Sequence, residues 1–590
     1  MARIPSALPF LLCTLCLACP AKDTTPAPDA APPKPAASLV NGAPGPLQRP
    51  PHPTMATAEY GQAALKSLAA ASPVNLPSGA AVPAGYVKLG QATDNCEPEA
   101  RDLFAASFRV AENDVTKVEA GGGVMLSLVL DPDPNGYNER LTDAYGMALT
   151  LGAAKQGGRR VEMARGVVLA AAARRGEALG AIDRTMKDAP KDAWLLLLQG
   201  ITLGMLGERG DALTALDAAA ALADAPVRVF YERGRLRLSV GDHAGAMADG
   251  HKATQMMETC TRCKVLTAQA RALGPDPQQG LTDISLLVTS GLAPWLAADA
   301  LLTAAVVEAR LGHADAAATV AEKLRGLKGF SSEAAVASGL AAAAAGDHAQ
   351  ALLALDSGVK GLPSGRMRTL ALMALARSAL ATGAQGRALE ALRAAEKDTG
   401  MDADAAELMA QTLTAMGQKE AALDENLRAH ALDPHSAPRA AAAGRKARSG
   451  GDAARDRTQR IWRLLGAKAP NQALALLAEH EKVDASDPYA AWARVVAHRD
   501  LAARLRPDEE IPPDAARAAV DAVKRAGKEP LSKVFPSEAR KLLLDVLDEA
   551  PREISGASLK AFANDPDPRL AAVAKEAIAR GAPRPRRSEH

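Results

Sequence analysis

The residues best suited to chemistry are a cysteine pair, an oxygen-rich turn and a scatter of isolated histidines and carboxylates. Cys260-Thr261-Arg262-Cys263 is a CxxC. Such a pair closes a local disulfide, stays as two packed thiols, or supplies half of a metal or redox site. Zinc needs four ligands, and no second pair follows; Cys96 and His251 are unremarkable candidates. A redox role needs a preceding strand, which the sequence does not offer. The second motif, Asp131-Pro132-Asp133-Pro134-Asn135-Gly136-Tyr137-Asn138-Glu139, sets oxygen donors at alternate positions before a Gly. Asp131, Asp133, Asn135 and Glu139 would be the ligands of a calcium loop. The Glu that should close such a loop is missing, since Thr142 stands there, and a plain Pro/Asn-Gly turn between helices is the favoured reading. Phosphate-binding and dinucleotide Gly motifs, HExxH and GxSxG are absent. Gly527-Lys528 lacks a following Ser or Thr, and His480-Glu481 lacks a His at 484. No catalytic residues, no cofactor and no small-molecule substrate are expected.

The elements that must position these residues are helices. Of the 590 residues 48% are hydrophobic, largely Ala and Leu, while only 3% are aromatic. Ala and Leu lose little freedom in a helix, and the Val/Ile/aromatic alternation of a sheet is scarce. The expected class is all-α. With 70 basic and 68 acidic residues the net charge is +2, so no global field draws the chain to nucleic acid or to an anionic membrane.

The N-terminus reads as an address. Arg3 precedes an apolar run from Ala7 to Ala18 that is too short to span a bilayer but fits a signal-peptide core. The run ends Leu15-Cys16-Leu17-Ala18-Cys19, which resembles the lipobox of bacterial lipoproteins, with Cys16 where that motif usually has Leu. The resemblance implies cleavage before Cys19 and its acylation. Pro20, in place of the Asp that favours inner-membrane retention in that family, implies the outer membrane. Residues 19–54 form a Pro/Ala-rich stretch that cannot pack a core and should act as an extended spacer. In an exported chain a local disulfide is the simplest reading of Cys260 and Cys263.

Self-similarity organises the rest. Gly166, Gly200 and Gly234 are evenly spaced, and Ala178, Ala212 and Ala246 keep the same interval, each twelve positions after its Gly. A second train runs through Gly312, Gly346, Gly383 and Gly417, each followed five positions later by Ala317, Ala351, Ala388 and Ala422. Small residues where two helices cross, and a Gly that ends the first helix, describe a helical hairpin. With Pro190, Pro363 and Pro434 closing repeats, the pattern resembles the tetratricopeptide repeat, a unit of about 34 residues. The family's aromatic positions are mostly Leu or Ala here. The resemblance implies an α-α solenoid whose first helices line a concave groove for proteins or peptides. Carried across, the groove positions are Arg160, Met163 and Val167, then Trp194, Leu197 and Ile201, then Arg228, Tyr231 and Arg235, with Arg310, Met373 and Arg377 in the second train. Arg228, Tyr231 and Arg235 near Trp194 are the expected patch, because Arg and aromatics dominate interface energetics. The competing reading has Trp194 filling an inter-repeat gap and the arginines solvated.

The expected organisation is a signal peptide (1–18), the spacer (19–54), an irregular helical region (55–157), repeat trains at 158–297 and 298–435, degenerate helical repeats (436–580) and a tail (581–590). Within the first train, 260–295 reads as a degenerate unit. The expected function is a non-enzymatic protein–protein interaction scaffold or assembly factor of the bacterial envelope, lipid-anchored and binding no nucleic acid. The alternatives are the binding solenoid of an envelope enzyme and a periplasmic or peptidoglycan-associated spacer.

Overall fold

The computed structural model describes residues 53, 56–75, 82–93, 95–152, 158–187, 191–505, 513–527, 529–549, 556–564 and 568–579. Cys19, the apolar run before it, most of the Pro/Ala spacer and the tail 581–590 lie outside the described residues. The described chain is helical, with no strand among the described residues and no helix there long and apolar enough to cross a membrane. The fold is an all-α solenoid of helical hairpins.

Eight hairpins follow one another in chain order. The first four pair Arg159–Ala171 with Arg175–Met186, Ala193–Met205 with Arg209–Ala220, Val227–Ser239 with His243–Met256, and Thr261–Leu273 with Pro277–Thr289. The next four pair Pro294–Arg310 with Ala314–Arg325, Ser331–Ala344 with His348–Gly358, Arg366–Ala381 with Gln385–Thr399, and Ala403–Ala415 with Lys419–Leu432. Helix A and helix B of a hairpin cross at the small residues of the repeat. A Cβ on Gly200 would stand 2.6 Å from Leu216 Cγ, and one on Gly339 would stand 2.6 Å from Leu355 Cγ. Ala178, Ala212, Ala246, Ala317, Ala351 and Ala388 are wholly buried on the B side. Asp192, Asp242, Asp347 and Asp402 cap helix N-termini by accepting backbone N–H bonds, each worth about 1 kcal/mol.

The turn from A to B needs one residue in the left-handed region. Gly207 and Gly241 hold it at φ 82° and 83°, whereas Ala173 does the same job at φ 58°. The unit at 260–295, expected to be degenerate, is a complete fourth hairpin. Its small residues are exchanged between the helices: Ala268 stands in helix A and Gly280 in helix B, where a Cβ would lie 2.2 Å from the Ala272 nitrogen.

Before the hairpins, helices Ala58–Ala71, Pro83–Leu89, Cys96–Val110, Asp114–Leu130 and Tyr137–Gly152 share one core with the first train. Glycines let them pack: a Cβ on Gly61 would fall 1.9 Å from the Gly146 carbonyl carbon. After the hairpins, Gly451–Gly466 with Pro470–Val483 and Pro488–Leu505 with Pro513–Ala526 continue the helical pairing around Trp462 and Trp492, whose rings are 4.5 Å apart.

These C-terminal helices return to the start of the solenoid. Leu213 and Val240 belong to the same apolar cluster as Trp462 and Leu477. Around that seam Arg460 Nε donates to Asp242 Oδ1 (2.8 Å), Arg463 Nη1 to the Gly241 carbonyl (3.1 Å), Gln472 Nε2 to Asp217 Oδ2 (2.9 Å) and Arg209 Nη2 to Ser364 Oγ (3.0 Å). The superhelix is thereby closed on itself. The closest approach is at Gly210, where a Cβ would sit 1.5 Å from the Lys468 carbonyl oxygen.

Ala173→Gly should stabilise the chain by about 1 kcal/mol by removing left-handed strain, read as a raised urea midpoint; an unchanged or lowered midpoint would refute the strain assignment. Gly210→Leu should open the seam, enlarging the radius of gyration in small-angle scattering while leaving helical circular dichroism nearly unchanged. An unaltered radius would show that the seam does not hold the ends together.

Candidate binding groove

Arg160, Trp194 and Arg228 each occupy the second position of an A helix, and Arg262 continues the series one repeat further on. They form a ladder along the N-terminal ends of four successive A helices. The ladder is already occupied by the chain's own residues 83–97. Tyr86 lies under the Arg160 guanidinium (5.4 Å to the ring centre) and edge-on to Trp194 (5.3 Å). The Leu89 carbonyl accepts from Arg228 Nη1 (3.2 Å), and the Gly90 carbonyl accepts from the Arg228 backbone N–H (2.9 Å).

Glu97 is the anchor. Its Oε1 and Oε2 accept from Arg262 Nη1 (2.7 Å) and Nη2 (2.6 Å), and Arg228 Nη1 lies 2.9 Å from Oε1. All three side chains are at most 2% exposed. The Arg262 guanidinium also stacks 4.6 Å from the Trp295 ring centre. Burial pushes the Glu97 carboxyl upward, but the Arg228 and Arg262 charges outweigh it and hold Glu97 below its ordinary value. A second carboxylate, Glu232, joins Arg228 (3.3 Å) to Arg235 (3.0 Å).

This corrects the expected patch. Arg228, Tyr231 and Leu197 are buried, so they cannot meet an outside partner, and burial lifts the Tyr231 hydroxyl to about 12. Arg160 is held by Asp192 (3.0 Å) and Tyr86, while Trp194 fills the contact with the N-terminal helices. Arg235 keeps an exposed side chain. The physical reason is that a row of arginines and aromatics between helix ends is costly unless paired and covered, and residues 83–97 do both.

The other sequence motifs belong to the scaffold. Cys260 and Cys263 are joined as a disulfide at the start of helix Thr261–Leu273, completely buried beside the Ala92 carbonyl. Cys96 is a buried free thiol 3.8 Å from Arg228, its pKa raised to about 12 by burial. In the Asp131–Glu139 turn the Arg140 guanidinium gathers the loop carbonyls. Arg140 donates to the carbonyls of Asn135 (2.6 Å), Asp131 (3.3 Å) and Asp133, while Asp133 Oδ1 accepts from the backbone and side chain of Asn135 (both 2.9 Å). His480, Asp484 and Asp487 lie within metal-binding reach of one another. There Arg448 clamps Asp484 (2.6–3.0 Å), and His480 Nε2 meets Asp487 Oδ2 at 3.0 Å.

The second train keeps an open site. Val306, Leu340 and Arg377 stand six positions before Gly312, Gly346 and Gly383, so they occupy one register position in three successive A helices. With Arg310, Leu370, Met373 and Ser378 they line a cavity of about 170 Å³. The floor is aliphatic, and Arg310 and Arg377 are exposed above it. Of the groove residues read from the sequence, Arg310, Met373 and Arg377 are thus brought together at an accessible pocket.

No family model and no curated protein matches the chain. Solved structures do. A tetratricopeptide repeat protein from Parabacteroides merdae is similar at 14% identity, covering 43% of this chain and 97% of that one, with a TM-score of 0.31. The tetratricopeptide domain of P58(IPK) matches at 15% identity over 66% of this chain and 98% of that one, TM-score 0.24. The APC/C hetero-tetramer Cut9–Hcn1 matches at 12% over 77% and 87%, TM-score 0.35. At these scores the likeness carries no argument, and the helical-repeat fold stands on the hairpin geometry.

Glu97→Gln should cost about 3–5 kcal/mol, because it leaves two buried guanidinia short of their carboxylate, and should raise hydrogen exchange across 83–110. Since the native carboxyl titrates below its ordinary value, the docking energy is full at neutral pH and is lost as pH falls through that depressed value. Wild-type exchange at residues 83–110 that rises already at neutral pH, or a silent Glu97→Gln, would remove Glu97 as the anchor.

Proposed function

We propose that this chain is a non-enzymatic scaffold that docks a protein or peptide partner in the groove of its second train, anchored in the bacterial cell envelope through an acylated Cys19. The observation that carries the reading is the contrast between the two trains. The first groove is consumed by residues 83–97, whereas the second presents aliphatic surface and two exposed arginines at an open cavity. A concave row of helices that holds side chains on a rigid frame suits recognition of an extended segment. The strongly shifted groups near residue 97, which elsewhere would suggest an active site, serve the internal ion-pair network instead. The Leu15–Cys19 sequence and the following Pro/Ala stretch support the anchor, which would hold the solenoid at a distance from the membrane.

The test joins photo-crosslinking to acyl labelling in the native envelope. A crosslinking residue at Ala343, beside the cavity, should capture a discrete partner that the same residue at exposed Leu423 does not. Equal capture from both places, or from neither, would count against the groove. Labelling with an alkynyl fatty acid should disappear in Cys19→Ser; persistent labelling would overturn the anchor.

A further inference from the structure

We propose that the cavity between Arg310 and Arg377 is built for an acidic peptide segment, an Asp or Glu carboxylate beside a leucine-sized apolar side chain. This rests on the docking reading above and names its partner chemistry.

Three observations converge. First, the cavity lining carries a cationic excess, Arg310 and Arg377 against the single carboxylate of Asp404. Among the described residues neither Arg310 nor Arg377 has a carboxylate within ion-pair distance, and nearby Arg463 donates to the Gly241 carbonyl and to Gln459. The neighbouring acids are already taken: Asp402 by Arg366 (2.6 Å) and Asp404 by Arg439. The surplus is felt locally, for burial and then the charge of Arg366, with Arg377, depress Arg310 against the opposing pull of Asp404 and Asp402, and His243 is driven well below its usual value by burial and then by Arg463, Arg366, Arg310 and Arg460. Second, Ser378 Oγ is fully buried in the cavity wall with no hydrogen-bond partner, and His348 Nδ1, also in the wall, is likewise unpartnered. A native structure rarely leaves such groups unsatisfied without a ligand or water to meet them. Third, about 170 Å³ of space over Val306, Leu340 and Met373 fits one aliphatic side chain, the size of cavity that holds a small apolar molecule.

The molecule supplies its own precedent. In the first train the chain fills its ladder with Tyr86 and Leu89 as apolar anchors and Glu97 as the carboxylate clamped between two guanidinia. Guanidinium–carboxylate pairing is directional and strong. A nucleic acid is disfavoured because no Phe, Tyr or Trp among the described residues lines the cavity for base stacking.

The experiment is fluorescence anisotropy on the purified full chain at low salt, with a labelled peptide of alternating Glu and Leu. Its Gln–Leu and Glu–Ser analogues serve as controls. The Glu–Leu peptide should bind about tenfold or more tightly than either analogue, weaken with salt, and lose about tenfold in Arg310→Gln/Arg377→Gln. Both arginines are exposed, and unchanged circular dichroism checks that the double variant folds. Equal binding of the Gln–Leu peptide, or no loss in the double variant, overturns the acidic-peptide assignment. Competition by millimolar inorganic phosphate, or tighter binding of a single-stranded oligonucleotide through the same arginines, also overturns it by revealing a general anion site. If crosslinks at Ala343 capture a partner while the acidic peptide is ignored, docking stands and only its chemistry falls. If both fail, the groove reading falls with it.

Discussion

Two helices can cross closely only where one of them has almost no side chain. In this chain that constraint recurs along the solenoid, with Gly200 against Leu216 and Gly339 against Leu355, and it sets how closely the two helices of a hairpin approach. Because the hairpin recurs at a fixed spacing through the first train, the second residue of each A helix there falls in line with the next. Arg160, Trp194, Arg228 and Arg262 become a ladder although nothing in their own chemistry requires it. The same repetition aligns Val306, Leu340 and Arg377 in the second train, at a different position along their helices. The crossing therefore decides which side chains share a surface, and the composition of that surface decides what it holds.

The two grooves are filled by different solutions. Arginines between helix ends must be paired or hydrated. In the first train residues 83–97 pair them internally, which buries Glu97, Arg228 and Arg262 together and turns a recognition surface into a structural joint. Removing one partner of such a trio is far more damaging than its net contribution suggests, since the others are left charged and dry. Among the described residues the second train has no such insert at Arg310 and Arg377. The seam from Gly210 to Lys468 closes the superhelix and holds both grooves in one frame.

How much of this was legible in the sequence depends on whether the feature is periodic. The hairpins and their turns were legible, because Gly and Ala recur at fixed spacing and a crossing tolerates little else. The fourth hairpin was obscured by a swap: Ala268 replaced a helix A glycine and Gly280 replaced a helix B alanine, so a search for identical residues lost the register while the packing kept it. Arg262 was visible in principle, standing one full repeat after Arg228. Glu97 was not, because it lies in an aperiodic segment and meets its arginines 131 and 165 positions away, the first as the difference of 228 and 97. For the same reason the groove positions were identified as contact surface but their occupant, the chain itself, was missed. Arg140 closing the Asp131–Glu139 turn is likewise a choice of side-chain direction that spacing alone does not reveal.

The central claim is that one groove is internally occupied and the other is free for a partner. Hydrogen exchange of the full chain, followed by mass spectrometry with and without a partner captured by the Ala343 crosslink, tests this most directly. The account predicts that residues 83–97 and the ladder ends near 160, 194, 228 and 262 are equally protected in both states, while the helices bearing Arg310, Leu340 and Arg377 gain protection only with the partner. Protection gained along 83–97 and the first ladder, with no change at the second-train cavity, would contradict it.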